Sequence, residues 1–289
     1  MEQLIDEFKI YLQAVKRTSE NTITSYTTDL ERLARYMKER GVESAEDISE
    51  DKLMGYILSL SDDNYSPFSI SRHITSVKAF FRFLVDNGNI NDNPAEKLRN
   101  PKVEKREPRV LSSYEIDSLL GQDFGDSPVG KRDKAILELM YATGLKVSEV
   151  IELRLENIDM SIGCLRMNDG RLIPYGQKAK DALGKYLLDA RNMIAEDGNT
   201  RVFVNYNGES LSRQGLWKLI KKYVNRAEID GDITANDLRH SFGVHLVEGG
   251  ANVNAVQEMM GYRGANSLTR YVTKSRRSND PYEWARMRN

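Results

Sequence analysis

Apolar residues recur along the first hundred positions at the 3.6-residue spacing of amphipathic helices. Leu4, Ile5, Phe8, Tyr11, Leu12 and Val15 form one stripe, predicting a helix from residue 1 to about 17. Thr18-Ser19-Glu20-Asn21 offers N-cap chemistry for a second helix, carried by Tyr26, Leu30, Leu33 and Tyr36 to a stop at Gly41. Ile48-Ser49-Glu50-Asp51 opens a third, with Leu53, Tyr56, Ile57 and Leu60 inside. Ser66-Pro67 breaks the pattern, and a fourth helix from about Ser69 carries Ile70, Ile74, Val77, Phe80, Phe81 and Leu84 to Asn87-Gly88. Four such helices in so short a span predict a small all-α bundle over residues 1–93.

The pattern lapses between Pro94 and Pro108, where prolines and a mixed Lys/Arg/Glu run predict a linker over 94–109. It resumes at Leu111-Ser112-Ser113-Tyr114-Glu115, an N-cap and first turn that open a larger domain, 110–275. A helix from Arg132 to Thr143 presents Ile136, Leu137, Leu139, Met140 and Tyr141. Short β segments follow at Ile158-Asp159, Cys164 to Met167 and Arg171 to Pro174, with Asn168-Asp169-Gly170 signalling a tight hairpin. A helix through Ala179, Leu183, Tyr186 and Leu187 precedes a short strand, Val202-Phe203-Val204. Another helix starts near Ser212, with Trp217 expected in the core. From Thr234 two helical runs end at Gly249-Gly250 and at Gly261, and a connector leads to Tyr271; residues 276–289 form a tail.

Composition narrows the class. With 289 residues, 40 % hydrophobic and 29 % charged, the chain suits two globular domains. It has no apolar run near the ~20 residues of a membrane helix, and no signal-peptide pattern at its acidic, amphipathic start. The single cysteine, Cys164, leaves no internal disulfide, and the three histidines lack metal-ligand spacing. The expectation is therefore a cytoplasmic protein without metal or cofactor. A net charge of −1 gives no global signature of a nucleic-acid partner, so any such partner depends on local clusters. Three exist: Lys102, Lys105, Arg106 and Arg109; Lys218, Lys221, Lys222 and Arg226; and Lys274, Arg276 and Arg277. Each read alone is more often just a solvated face.

Four stretches together resemble the tyrosine recombinases (the phage-integrase family), most closely the Xer-like branch. LRHSFGVHLVEGGANVNAVQEMMGY followed by Tyr271 resembles the family's catalytic half: Arg239 falls at the second catalytic arginine and Tyr271, 32 positions on, at the nucleophile. Thr143-Gly144-Leu145-Lys146-Val147-Ser148-Glu149 resembles the segment that carries the first catalytic arginine, with Glu149 matching its supporting acidic residue. Leu211-Ser212-Arg213-Gln214-Gly215-Leu216-Trp217 is similar to the start of the DNA-reading helix, and SENTITSYTTDLERLARYM with SISRHITSVKAFFRFLVDNG to the SAM-like core-binding domain. The resemblance implies a mainly α, two-domain DNA breaking-rejoining architecture with a small β-sheet in its C-terminal domain. It implies double-stranded DNA as partner, with Arg213 and Gln214 toward the DNA and Thr22, Arg72 and Lys78 as backbone contacts. It also implies a homo-tetramer on DNA through the tail, with Trp284 either anchoring on a neighbour or folding back.

The same comparison exposes departures. Lys146 stands where the family has arginine, Asn236 where it has His or Lys, and Tyr262 where it has His or Trp. The hairpin that carries the family's catalytic lysine is shortened and holds none; Arg171 is the nearest basic side chain, and no residue is assigned that role. In the family's reaction the tyrosine oxygen attacks a DNA phosphodiester, forming a 3′-phosphotyrosine and releasing a 5′-hydroxyl that must take a proton. Preorganised donors to the phosphate are worth ~10²–10³ each in rate, and the general acid another ~10²–10⁴. Tyr271, Arg239, Lys146, Glu149, Asn236 and Tyr262 are thus the candidate catalytic set. The expected function is DNA binding with weak or absent cleavage, in an architectural or regulatory role. An active recombinase is the alternative, and a protein-interaction module the remote one.

Overall fold

The computed structural model describes residues 1–102 and 108–262, and the chain divides into two units, Met1–Arg106 and Glu107–Asn289. In the first unit four helices form: α1 (Glu2–Ala14), α2 (Glu20–Lys38), α3 (Glu50–Asp62) and α4 (Pro67–Asp86). Ser19, Ser49 and Ser66 each accept a backbone N–H of the first turn, satisfying one of the donors a helix start leaves free. Ser66-Pro67, expected as a break, is instead the start of α4: Ser66 caps it, and Pro67 takes the first turn, where its missing N–H costs nothing. Val15, expected on the first stripe, lies past the end of α1 and is exposed. Phe8, Leu30, Leu33, Tyr56, Val77, Phe80, Phe81 and Leu84 form the buried centre. Each such side chain gains roughly 1.5–3 kcal/mol from burial. Ala95 and Leu98, inside the segment expected as linker, are buried in this core as well.

Beneath those apolar residues runs a buried polar network. Asp29 on α2 is ion-paired with Arg72, Oδ1 to Nη2 at 2.9 Å, accepts the Ser76 hydroxyl at 3.1 Å, and lies 3.3 Å from His73 Nε2. Tyr56 and His73 Nδ1 are hydrogen-bonded at 2.9 Å.

The second unit is built around α6 (Pro128–Thr143), which begins one turn before the expected Arg132 because Ser127 caps it and Pro128 opens it. Before it lies α5 (Ser113–Gly121), whose Ser112 and Glu115 make a reciprocal capping box. After it come α7 (Val147–Glu152), then β1 (Ile158–Asp159), β2 (Cys164–Arg166) and β3 (Leu172–Pro174) in one antiparallel sheet of order β1-β2-β3. Cys164 pairs with Pro174 and Arg166 with Leu172, so the hairpin turn falls at 167–171. α8 (Gln177–Asp189), α9 (Arg191–Ile194), α10 (Arg213–Arg226), α11 (Ala235–Glu248) and α12 (Val253–Met259) complete the described elements. α6 packs along α8 and α11.

Two expectations fail here. Val202, Phe203 and Val204 are fully buried but form no strand; only isolated bridges, Arg154 with Arg201 and Val204 with Ser210, flank them. Val202 and Phe203 lie in a bend, and their apolar run reflects burial alone, which periodicity cannot separate from a strand. Trp217, expected in the core, is 54 % exposed on α10, with the Lys221 ammonium 6.0 Å from its ring centre. Leu216, Leu219, Ile220 and Tyr223 fill the buried face of that helix instead.

Candidate active site

Three short-range devices place the site. Gly144 ends α6 in the left-handed conformation, φ 60°, a backbone state in which glycine carries no Cβ penalty. A Cβ there would stand 2.6 Å from Phe242 Cδ1, so the turn into Lys146 also requires glycine for space. Glu149 then accepts the Lys146 backbone N–H at 2.7 Å, fixing the N-terminus of α7. A capping box between Thr234 and Asp237 starts α11, and Asp237 also accepts the Arg109 backbone N–H at 2.9 Å. Together these bring Arg239, on α11, beside the α6–α7 turn.

Arg239 is 4 % exposed. Its Nη1 donates to the Gly144 carbonyl and its Nη2 to the Met260 carbonyl. The Tyr262 ring covers the guanidinium, with Cζ 4.5 Å from the ring centre. Tyr262 thus meets Arg239 through its aromatic face.

Glu149 is the anion at the centre. Its Oε1 accepts Arg171 Nη2 at 2.5 Å and lies 3.6 Å from Lys146 Nζ, while Oε2 lies 3.9 Å from Arg239 Nη1. Three cations from three separate elements thus face one carboxylate. Lys146 Nζ remains half-exposed and donates to the Gly261 carbonyl at 3.4 Å. Arg171 is nearly buried: Nε donates to Asp169 at 2.8 Å and Nη1 to the Met259 carbonyl at 3.0 Å. Burial works against the charge of Arg171, but the hydrogen bonds to Asp169 and Glu149 outweigh it and raise its pKa. Burial likewise works against the Asp169 carboxylate, and the bonds and charge of Arg171 outweigh it, lowering its pKa.

The carbonyls of Met259, Met260 and Gly261, at and just past the end of α12, are taken in turn by Arg171, Arg239 and Lys146. Cations at a helix C-terminus satisfy the last carbonyls and favour the helix dipole.

Of the expected catalytic set, Arg239, Lys146, Glu149 and Tyr262 converge. Asn236 is exposed on the first turn of α11. Tyr271 lies outside the described residues, as do Trp284 and the third basic cluster. Arg171, to which the sequence reading assigned no role, is in the site. Its signal was the shortened hairpin itself, which leaves one basic side chain at the position nearest the missing lysine.

Arg213 and Gln214 are exposed on the first turn of α10, available to a partner. The N-terminal candidates are more engaged. Arg72 is committed to Asp29 and to the Ser25 carbonyl at 3.2 Å, Lys78 donates to the Glu96 carbonyl at 3.1 Å, and Thr22 hydrogen-bonds Ser19 at 2.9 Å. In the second basic cluster Lys221 is paired with Asp232, while Lys218 is exposed.

The chain is thus a two-unit, mainly helical protein whose second unit gathers buried and half-exposed cations around one carboxylate beside a small hairpin. Residues 109–277 match the model of the phage integrase family, and residues 5–88 that of the phage integrase N-terminal SAM-like domain. The chain is 37 % identical over 276 residues to the tyrosine recombinase XerD of Halalkalibacterium halodurans, covering 92 % of each. It is 34 % identical to the tyrosine recombinase XerC of Herpetosiphon aurantiacus, over 100 % of this chain and 96 % of that one. The fold is similar to that of the Tn1549 transposon integrase in complex with circular intermediate DNA: TM-score 0.71, 19 % identity, covering 93 % and 94 % of the two chains. The chain belongs to the phage integrase family, that of the tyrosine recombinases.

Proposed function

We propose that this protein binds double-stranded DNA and that strand cleavage through Tyr271 is slow or absent, so that it serves an architectural or regulatory role in the cytoplasm. One observation carries the reading. The retained Arg239 is 4 % exposed, with one donor of each terminal nitrogen on a backbone carbonyl and the Tyr262 ring over its face, so a phosphate has only its remaining N–H donors to meet and must approach past that cover. Lys146 adds charge without a planar fork, and Asn236 cannot relay a proton. If two such changes cost ~10² each, cleavage falls by about 10⁴, although such losses need not combine independently. In this reading residues 1–93 grip the duplex through Thr22, Arg72 and Lys78, 94–109 cross its backbone, and Arg213 and Gln214 meet it from 110–275. The tail, 276–289, joins copies into a tetramer on DNA.

A second reading, an active site-specific recombinase, draws support from full-length relatives named XerD and XerC. Here the Tyr271 oxygen bonds to phosphorus, the bond to the 5′ oxygen breaks, and that oxygen leaves with a proton from the site or solvent.

Duplexes enriched by binding from a random pool, then nicked so that cleavage cannot reverse, separate the readings on a denaturing gel beside Tyr271→Phe. Binding without a Tyr271-dependent adduct supports the first. A fast adduct establishes the second, and absence of binding at low salt removes both.

A further inference from the structure

We infer that Arg171 is the positioning residue of this site: the guanidinium missing at position 146 is supplied to Glu149 from the hairpin instead. The inference rests on the family reading of the site but not on whether the site cuts DNA.

Four observations carry it. First, the Glu149 carboxylate holds Arg171 at 2.5 Å and Lys146 at 3.6 Å, so the planar fork from the hairpin is its close partner and the ammonium its distant one. Second, all three guanidinium nitrogens of Arg171 are used, on Asp169, Met259 and Glu149, which ties the hairpin, the end of α12 and α7 to one rigid group. A lysine there would carry its three donors on one atom, without the fixed planar spread that reaches acceptors on three separate elements. Third, Gly261 is shaped to Arg171: its φ is 65°, and a Cβ would lie 2.8 Å from Arg171 Cζ. Fourth, the carbonyl that Arg171 holds is followed directly by those that hold Arg239 and Lys146. All three of its guanidinium nitrogens are held by protein acceptors. Arg171 fixes Glu149 and the 259–261 turn, and these orient the two cations that face a phosphate.

The shortened hairpin thereby acquires a reason. The 167–171 turn is short enough for Arg171 to fold back against α7, and Asp169 in that turn clamps its Nε. Lys146, relieved of close pairing with Glu149, keeps its ammonium half-exposed.

The test uses the full chain with Arg171→Ala, Arg171→Lys, Lys146→Arg and the exchange pair Lys146→Arg/Arg171→Lys. The first readout is the side-chain ¹⁵N spectrum of Arg239, which needs neither DNA nor cleavage. Held on two carbonyls, its guanidinium rotates slowly and shows resolved Nη–H signals. In Arg171→Ala those signals should merge, and the exchange pair should restore them. Unchanged Arg239 signals in a folded Arg171→Ala protein would overturn the inference, whatever the protein does with DNA.

The second readout is adduct formation on nicked DNA, where the unaltered protein forms one. Arg171→Ala should slow it about 10²-fold, as loss of a preorganised donor set does, with duplex affinity changed less than about threefold. Lys146→Arg alone should slow it about tenfold, because a second fork competes with Arg171 for Glu149, and adding Arg171→Lys should reverse that loss. A faster adduct with Lys146→Arg alone would show that position 146 still lacks its guanidinium, and the inference would be wrong. An unaltered protein that forms no adduct defeats the recombinase reading only, since the Arg239 signals still decide the role of Arg171.

Discussion

The Tyr262 ring lies over the Arg239 guanidinium, Cζ to ring centre 4.5 Å, and covers one face of it. A desolvated cation–π contact of this kind is worth about 2 kcal/mol or more. Tyr262→Ala should therefore lower stability by about 2 kcal/mol, while Tyr262→Phe keeps the ring and stays within about 0.5 kcal/mol of the parent. Urea unfolding followed by methyl signals of Val244 and Val256 measures both. An equal loss in the two variants would assign the contribution to the hydroxyl.

Gly144 and Gly41 offer a matched pair. Both have positive φ, 60° and 72°, but a Cβ at Gly144 meets Phe242 at 2.6 Å, whereas at Gly41 no described heavy atom lies within 4 Å. Gly41→Ala should cost only the left-handed penalty, about 1–2 kcal/mol. Gly144→Ala adds overpacking of about 1–3 kcal/mol and shifts the carbonyl that Arg239 uses. Similar losses from the two substitutions would mean that Phe242 yields without cost.

The DNA face has its own test. Arg213, exposed on the first turn of α10, should contribute about 1–3 kcal/mol if it reaches a base edge. Arg213→Ala should then weaken binding roughly 10- to 100-fold and relax preference at one position. If it contacts only phosphate, binding weakens evenly across sequences and the salt slope falls by about 1. No change in either property would remove α10 from the interface.

Asp29 and His73 make opposed contributions to pH dependence. Burial raises the Asp29 pKa from 3.8 to about 6, against the lowering effects of Arg72 and Ser76. Burial lowers that of His73 from 6.5 to about 4, helped by the charges of Arg72 and Arg32. Between those limits the native protein holds a proton on Asp29 that the unfolded chain has released, so this contribution to stability falls as pH rises. For His73 the unfolded chain holds the extra proton, so its contribution rises with pH over the same window.

In the parent the two slopes largely cancel. His73→Gln should leave stability falling from pH 4 to 6, and Asp29→Asn should leave it rising from pH 4 to 6.5. Each slope is at most about 1.4 kcal/mol per pH unit. Urea midpoints read from Leu33 and Val77 methyl signals check this, and matching slopes in the two variants would refute the opposition.

Local chemistry made much of this protein legible from sequence. Helix stripes such as Phe8–Leu12 and Ile74–Leu84, the caps at Ser19, Ser49 and Ser112, and the Asn168-Asp169-Gly170 hairpin are decided within a few residues of themselves, and they formed as read, whereas Ser66 and Ser127 cap helices that the sequence reading started later. The spacing that marks Arg239, Lys146 and Glu149 is likewise a property of the chain alone. Trp217 and the Val202–Val204 run were misread because burial on an unseen side is not a local property.

Arg171 is the clearest case of what folding decided. Nothing in the sequence states that a residue 22 positions from Glu149 will donate to it, or that Met259 will accept its other arm. Those partners meet only when the sheet, α7 and α12 are packed, since one guanidinium must satisfy groups from all three at once. Sequence determined which charges this protein carries and on which elements; tertiary structure decided which of them share a carboxylate, because ion pairing depends on distance through space and not along the chain.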